Sequence, residues 1–504
     1  MEFRKTVLPK LIAGVWVSMA GSGFCADNVE NVDTQLQEMV VTGANDKPVV
    51  PANLPATTEG VTAKQIAESI NALTSAETIK YLPSIVVRER FIGDRNGIVS
   101  TRTTGTISSA QSIVYADSLL LSNFLGNSYS YPPRWGMVSP EEINRVDIIY
   151  GPFSAFYPGN SMGGVVQMTT RTPEKLEAHA NLNVFQERFK LYGTNEAYDG
   201  AHGSASIGNK IGDWSFWMSG DHLDTHGHPM SFGTAAAGGA GTTPVTGAYK
   251  DKDSAGAARI ITGGYGIDHS VQENGKLKLT YDFSPTVRAT YILGVWQVNS
   301  DTSVDSYLKD ASGRSVYNGA VKIDGVNYNA TSLSPSHSES EHWMHGLSVK
   351  SNTRGAWDWE VAASIYDYKT DISRTATYSG VDDGTGTIRK GGTATFMDGT
   401  GWQNLDLRGE WRPDGDLKSK HQVSFGYHID CYDLNSNTYT VAVTEDWLTG
   451  VVGALKSNSK GKTETNALYL QDAWRFAPDW QMVVGGRQEF WKAFDGSNYN
   501  SANA

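Results

Sequence analysis

From about residue 178 onward the chain alternates apolar and polar residues with a period of two, segment after segment. Leu277, Leu279, Tyr281 and Phe283 interleave with Lys276, Lys278, Thr280 and Asp282. Val423, Phe425, Tyr427, Ile429 and Cys431 do the same with Gln422, Ser424, Gly426, His428 and Asp430. Leu405, Leu407 and Trp411 alternate with Asp406, Arg408 and Glu410, and Leu468, Leu470, Trp474 and Phe476 with Tyr469, Gln471 and Arg475. Period two is strand geometry, because successive side chains leave opposite faces. Each strand therefore has one apolar face and one polar, often charged, face. Outside the N-terminus no apolar run nears the ~18 residues of a membrane-crossing helix, which excludes a polytopic helical membrane protein.

Connection lengths add direction. Tight turns are expected near 210–213, 284–286, 352–357, 413–420 and 477–479, and long polar connections near 222–273, 299–340, 369–401 and 433–464. Short and long alternate without exception, as in an up-and-down outer-membrane barrel with short periplasmic turns and long external loops. A soluble sandwich shares the alternation, but its long loops need not all fall at one end. Trp214, Trp217, Trp357, Trp359, Trp480 and Trp491 lie near strand ends, where a barrel places aromatic girdles. A sheet in hydrocarbon must close, because every backbone group needs a partner, and only its outer face must be apolar. Lys276, Lys278, Asp282, Arg408 and Glu410 then point into the lumen, onto water or onto something that fills it. Each, taken singly, is expected to be a solvated wall residue.

The N-terminus sets the compartment. Arg4, Lys5 and Lys10 precede the apolar residues 11–20 (LIAGVWVSMA), too short to span a bilayer and suited to a secretory signal. Cleavage is expected after Ala26, with Cys25 as the other option. The mature chain then keeps Cys431 as its usable thiol and has no internal disulfide. A net charge of −12, with 54 carboxylates against 42 Lys and Arg, argues against nucleic acid as a partner. Residues 27–172 read as a mixed α/β domain. Thr74 with Glu77 and Ser139 with Glu142 fit the S/T-x-x-E capping box, and β-rich runs stand at 84–88, 146–150 and 163–171.

The run GMVSPEEINRVDIIYGPFSAFYPGNSMGGVVQMTTRTP, residues 136–173, resembles the closing segment of the plug domain of TonB-dependent outer-membrane receptors. Pro140, Ile143, Arg145, Val146, Gly151, Pro152, Tyr157, Gly163 and Gly164 match that family's pattern; Asp147, Tyr150, Pro158 and Gln167 depart from it. Physically the motif is structural, with Gly151-Pro152 and Gly163-Gly164 expected to permit tight turns beside strands. Residues 36–44 (LQEMVVTGA) resemble a TonB box. The resemblance implies that Glu38, Met39, Val40, Val41 and Thr42 pair as a strand with an edge of TonB. Residues 46–55 read as a leash, and residues 465–491 are similar to a common hairpin of the receptor barrel. The implied organisation is a signal peptide (1–26), a TonB-box segment and leash (27–55), a plug (56–172) and a transmembrane antiparallel β-barrel (173–504).

In that family the plug's outward loops and the wall hold the ligand. Here the loops are 88–97 (RERFIGDRNG) and 122–136 (SNFLGNSYSYPPRWG), offering Arg90, Arg95, Tyr129, Tyr131, Arg134 and Trp135. Aromatics with Arg suit a flat anionic metal chelate through stacking and charge pairing; the competing reading is that they pack plug against wall. His222, His226, His228 and Met230 have spacing that could hold copper or zinc, although histidines opening a long loop are more often merely polar. His337, His342 and His345 form a second loose group. No nucleophile elbow, P-loop or dinucleotide fingerprint is present in the sequence, so neither an enzyme nor a cofactor is expected.

The expected protein is thus a monomeric active transporter of the Gram-negative outer membrane. It would contact outer-membrane lipid, be energised by TonB and take up a ferric siderophore. Cobalamin, another metal chelate or an oligosaccharide is the alternative cargo, and a signalling receptor or a porin the alternative class. About eleven strands are legible where the family has twenty-two and bacterial barrels use even numbers, so about half of a barrel is expected, in a chain truncated at its C-terminal side.

Overall fold

The computed structural model describes residues 56–503, apart from 103, 106–107, 152–154, 240–242 and 378–389. The signal segment, the leash and Glu38 to Thr42 lie outside the described residues, as does Pro152.

The first part is a small mixed sheet. Its strands are β1 (Thr58–Thr62), β4 (Ser112–Ala116), β5 (Leu119–Leu120), β6 (Ile143–Tyr150) and β7 (Gly164–Thr170), with β2 (Ile85–Arg88) and β3 (Ile98–Thr101) as a separate hairpin. The sheet order is β1-β6-β7-β4-β5, with β4 and β7 parallel and the other pairs antiparallel. Ile113, Val114, Ile148, Ile149, Val165 and Val166 are buried whichever way they point. A sheet covered on both faces needs continuous apolar runs rather than alternation, which is why VDIIY and GGVVQ lack it.

The helices are shorter than a mixed α/β domain leads one to expect, the 3-10 turns spanning three or four residues. At Pro140–Glu142 the Ser139 N–H donates to Glu142 Oε1 at 2.7 Å, completing a capping box. At Ala76–Ile79, the Glu77 N–H donates to Thr74 Oγ1 at 3.3 Å, and Glu77 reaches back to the Leu73 N–H. The Ser139–Glu142 box predicted from sequence therefore forms, capping a single turn; at Thr74 the reciprocal half is missing, because Ser75 stands at the N-cap and Glu77 bonds the Leu73 N–H instead.

The second part is a wall of long antiparallel strands joined in chain order. It begins with β8 (Glu177–Leu191), β9 (Thr194–Ile211) and β10 (Trp214–His226). Short β11 (Ser231–Ala237), β12 (Thr243–Pro244) and β13 (Tyr249–Lys252) precede β14 (Ala258–Ser284) and β15 (Val287–Ser306). Short β16 (Gly319–Ile323) and β17 (Val326–Ala330) precede β18 (Ser336–Ser351) and β19 (Trp357–Ala376). After β20 (Lys390–Phe396) come β21 (Gly401–Trp411), β22 (His421–Asp446), β23 (Val452–Ala477) and β24 (Trp480–Asn500). Eleven of these are long wall strands, and β24 is exposed along nearly its whole length.

All five tight turns fall between strand ends, at the end of the wall where β8 starts. The other end departs from expectation in two ways. Strands run far into the segments read as loops: β10 reaches His226, β14 starts at Ala258, and β22 and β23 leave only residues 447–451 between them. Backbone pairing continues past the apolar band because polar side chains on both faces do not interrupt a ladder. The alternation of short and long also has an exception, since β8 and β9 join at that end through Tyr192-Gly193 alone.

Period two sorts the wall as expected, though into an inverted protein. Outward-pointing Leu182 and Val184 are 78% and 79% exposed, whereas Asp268, Gln272, Asn274, Lys276 and Lys278 on β14 point inward and are buried. What buries them is the first sheet, which fills the space the wall encloses.

Candidate ligand site and plug–wall joint

The joint is built from charges the strand pattern turns inward. Lys276 Nζ lies 2.5 Å from Glu142 Oε1, with both side chains buried. Two residues along the same face, Lys278 Nζ donates to Asp117 Oδ2 at 3.0 Å and to Thr170 Oγ1 at 2.9 Å. Burial tends to neutralise Asp117, but the Lys278 ammonium and the Thr170 hydrogen bonds hold its carboxyl below the usual range. At Glu142 burial outweighs Lys276 and pushes the carboxyl up. Ser118 Oγ donates to Glu360 Oε1 at 2.8 Å; Glu360 in turn pairs with Arg408, whose guanidinium lies over the Phe156 ring, 4.9 Å from its centroid. Lys276, Lys278 and Arg408 are thus anchors of the inner sheet rather than the solvated residues expected. Asp282 pairs with Lys210 and Arg288, and Glu410 with Arg412. A further joint links Glu141 and Ser139 of the first domain to Asp221 and His202 of the wall; Ser139 Oγ donates to Asp221 at 3.0 Å and His202 Nε2 lies 2.6 Å from it.

The loops 88–97 and 122–136 face the end of the wall where the strands are longest. In the first, Arg90 is held by Asp94 through paired bonds of 2.7 Å. Burial opposes the charge on Asp94, but Arg90 keeps its carboxyl below the usual range. Arg95 donates to Ser270 Oγ at 3.0 Å and lies 3.6 Å from Asp268. Thr225 and Gln272 side chains donate to the Ile92 and Gly93 carbonyls. Glu89, at the start of the loop, is pushed up to about 8, first by burial and then by the neighbouring Glu77 carboxylate.

In the second loop Trp135 is 3% exposed and donates through Nε1 to the Gly97 carbonyl at 2.6 Å, so it packs the interior and presents nothing outward. Arg134 donates to the Tyr368 hydroxyl and stands 4.8 Å above that ring. Tyr131 is half-buried over Gly126, and Tyr129 is exposed. Of the six residues read from the two loops, Arg90, Arg95, Arg134 and Trp135 are therefore committed to intramolecular contacts. Tyr129 and Tyr131 remain toward the opening.

Sequence reasoning missed an aromatic collar on the wall around this loop. Tyr366 stacks on Trp402 at 4.2 Å, Trp402 on Tyr432 at 5.7 Å, and His342 on Tyr368 at 3.9 Å. Trp402 Nε1 donates to the Leu120 carbonyl, and Asn123 Nδ2 to the Tyr368 hydroxyl. Gly136 admits the indole of Trp296 where any Cβ would collide. The signal was available, since Tyr366 and Tyr368 share a strand face, but only the filled lumen makes that face a binding surface. His342 belongs to this collar; His337 and His345 face elsewhere on β18, so the three do not form a group.

The motif residues keep structural roles. Arg145 Nε lies 2.7 Å from Asp147 Oδ1 along β6. Tyr157 is buried beside Phe156, and burial pushes its phenol up to about 12. Gly163 has no left-handed backbone; its N–H donates to the Gln111 carbonyl at 2.6 Å, and a Cβ there would strike Thr104 and Ser112. Close approach, rather than the turn expected for Gly163-Gly164, is its reason. Gly151 ends β6.

The quartet His222, His226, His228 and Met230 does not converge. His222 and His226 lie four residues apart on one face of β10, roughly 13 Å along a strand. His222 pairs with Glu273, His228 stacks on Phe189 at 4.5 Å and meets Glu187, and Met230 packs against Gly266.

A strand wall with an apolar outside, filled by a distinct five-stranded sheet that is ion-paired to its inside, defines a plugged β-barrel receptor. The chain belongs to the TonB-dependent receptors: residues 51–165 match the TonB-dependent receptor plug domain and residues 280–504 the TonB-dependent receptor-like β-barrel. Among solved structures it resembles the ferric citrate transporter FecA in its unliganded form, at 13% identity and a TM-score of 0.59, over 89% of this chain and 57% of that one. It also resembles the ferripyoverdine receptor of the Pseudomonas aeruginosa outer membrane, at 11% identity and a TM-score of 0.56, over 89% and 53%. At such identities the likeness is one of fold. The vitamin B12 transporter BtuB of Vibrio vulnificus (strain YJ016) is 27% identical over 151 residues, which cover 30% of this chain and 23% of that protein. The chain spans little more than half the length of the two solved structures.

Proposed function

We propose that this receptor is an active transporter of the Gram-negative outer membrane, taking up a ferric siderophore. Its lumen is filled by a sheet fixed to the wall through buried ion pairs at Lys276 and Lys278, and that observation carries the reading. A passive pore gains nothing from such a block. A gated carrier needs one that holds until energy is supplied. Ligand would settle from outside on Tyr129, Tyr131 and the loops around them, and TonB would pair with Glu38, Met39, Val40, Val41 and Thr42 from the periplasm. Pulling on that segment would loosen the plug from its anchors. Two solved relatives are named for ferric chelates and the sequence relative for vitamin B12, so cobalamin is the second cargo reading. Deleting residues 38–42 is expected to abolish uptake and spare ligand binding; undiminished uptake would refute active transport. Growth of a deletion strain on a panel of chelated iron sources, with cobalamin- and copper-limited controls, separates the cargoes.

A further inference from the structure

The outward face of β10 is apolar from Trp214 to Met218 and turns polar beyond Gly220, with His222, Asp224 and His226. The outward face of β14 matches it: Phe283, Tyr281, Leu279 and Leu277 give way to Glu273 and His269. In the ladder His226 stands directly opposite His269. We infer that Asp224, His226 and His269 form a binding site for a divalent transition metal ion of the zinc class, on the outside of the wall just beyond its apolar band.

Three features of the geometry carry this. One ligand atom from each residue lies within 4.8 Å of the others, close enough for a single ion to draw them together. The His226 Nδ1 is 3.0 Å from the Asp199 carbonyl oxygen. A carbonyl only accepts, so in the neutral ring Nδ1 carries the proton and Nε2 keeps its lone pair; this second contact fixes the tautomer that a metal requires. The two imidazoles are stacked at 4.0 Å and 8°; their lone pairs lie in the ring planes, so a shared ion would tilt one ring out of the stack. His269 Nε2 is 3.1 Å from Asp224 Oδ1, so carboxylate and imidazole already converge. Around them, Asp301 stands opposite His269 and is itself bonded to His337, and Glu273 is bonded to His222, which makes the neighbourhood favourable to a cation.

Two imidazoles and one carboxylate suit zinc, nickel or copper more than magnesium or calcium, and leave a coordination position open to water or an anionic oxygen. The inward neighbour Thr225 faces the plug loop at Ile92, so the ion would sit on the far side of the wall from the lumen. It is therefore a resident ion stapling β10 to β14 rather than cargo, and the inference is independent of what is transported.

The test uses the full chain in detergent and Zn2+ alone as the probe, followed by calorimetry, with the absorption spectrum of Co2+ as a second readout. One saturable site is expected, with affinity falling ~10-fold or more in His226→Ala and His269→Ala and in the milder His226→Gln. His222→Ala and His337→Ala are expected to leave it unchanged. Absence of saturable Zn2+ binding, or full affinity in both His226→Ala and His269→Ala, would overturn the site, as would loss of binding only in His337→Ala.

Discussion

The plug and the wall solve opposite solvent problems with the same local geometry. In the plug, Ile113, Val114, Ile148 and Ile149 are buried on both faces of a small sheet. In the wall, Leu182 and Val184 point outward and are among the most exposed side chains, while Lys276, Lys278 and Asn274 point inward and are buried. A strand's alternation states only that two faces differ. Which face is wet depends on what lies beyond it, and here hydrocarbon is expected outside and a folded sheet inside.

Removing one partner of the joint between them is expected to have the largest effect. Lys276→Ala leaves Glu142 buried without its cation and should cost ~3–5 kcal/mol, whereas Lys276→Met with Glu142→Gln, which keeps an oxygen for the Ser139 N–H, should cost clearly less. Denaturant unfolding of the single and double variants measures this, and equal losses in both would mean that the pair does not couple the two regions.

The inversion itself is tested on the outer face. Leu182→Lys should cost ~2–4 kcal/mol in a bilayer. The same substitution would be almost free on a water-facing strand, so refolding into lipid vesicles compared with the parent chain decides whether this face meets hydrocarbon.

Acidity probes the plug alone. Glu89 titrates in the folded protein at about 8, above the ordinary 4.5. A raised carboxyl favours the folded state at low pH, and that contribution is lost as pH rises through about 8. Protection factors against hydrogen exchange across residues 73–97 should therefore fall from pH ~5 to ~9 while those of the wall strands stay unchanged, and Glu89→Gln should flatten the dependence.

The smallest effect belongs to the collar. Tyr368→Phe removes the hydroxyl that accepts from Arg134 and Asn123 and should cost ~0.5–1.5 kcal/mol, seen as faster proteolysis of residues 122–136. Tyr129→Ala should leave stability unchanged and weaken ligand binding; unaltered affinity would remove it from the site.

The sequence by itself determined the strands, their facing and the family. Alternation requires only neighbours along the chain, turn residues act within a few positions, and the run from Gly136 to Pro173 is a local string. The five tight turns and the Ser139–Glu142 capping box were legible for that reason. Tertiary structure decided everything that depends on what stands across a gap. It paired Lys276 with Glu142, 134 residues away, and enclosed Trp135. It closed a collar of Tyr366, Tyr368 and Trp402 around a loop, and replaced a linear histidine motif with His226 and His269 from two strands. Register and burial couple residues distant in the chain, and no local pattern carries that information.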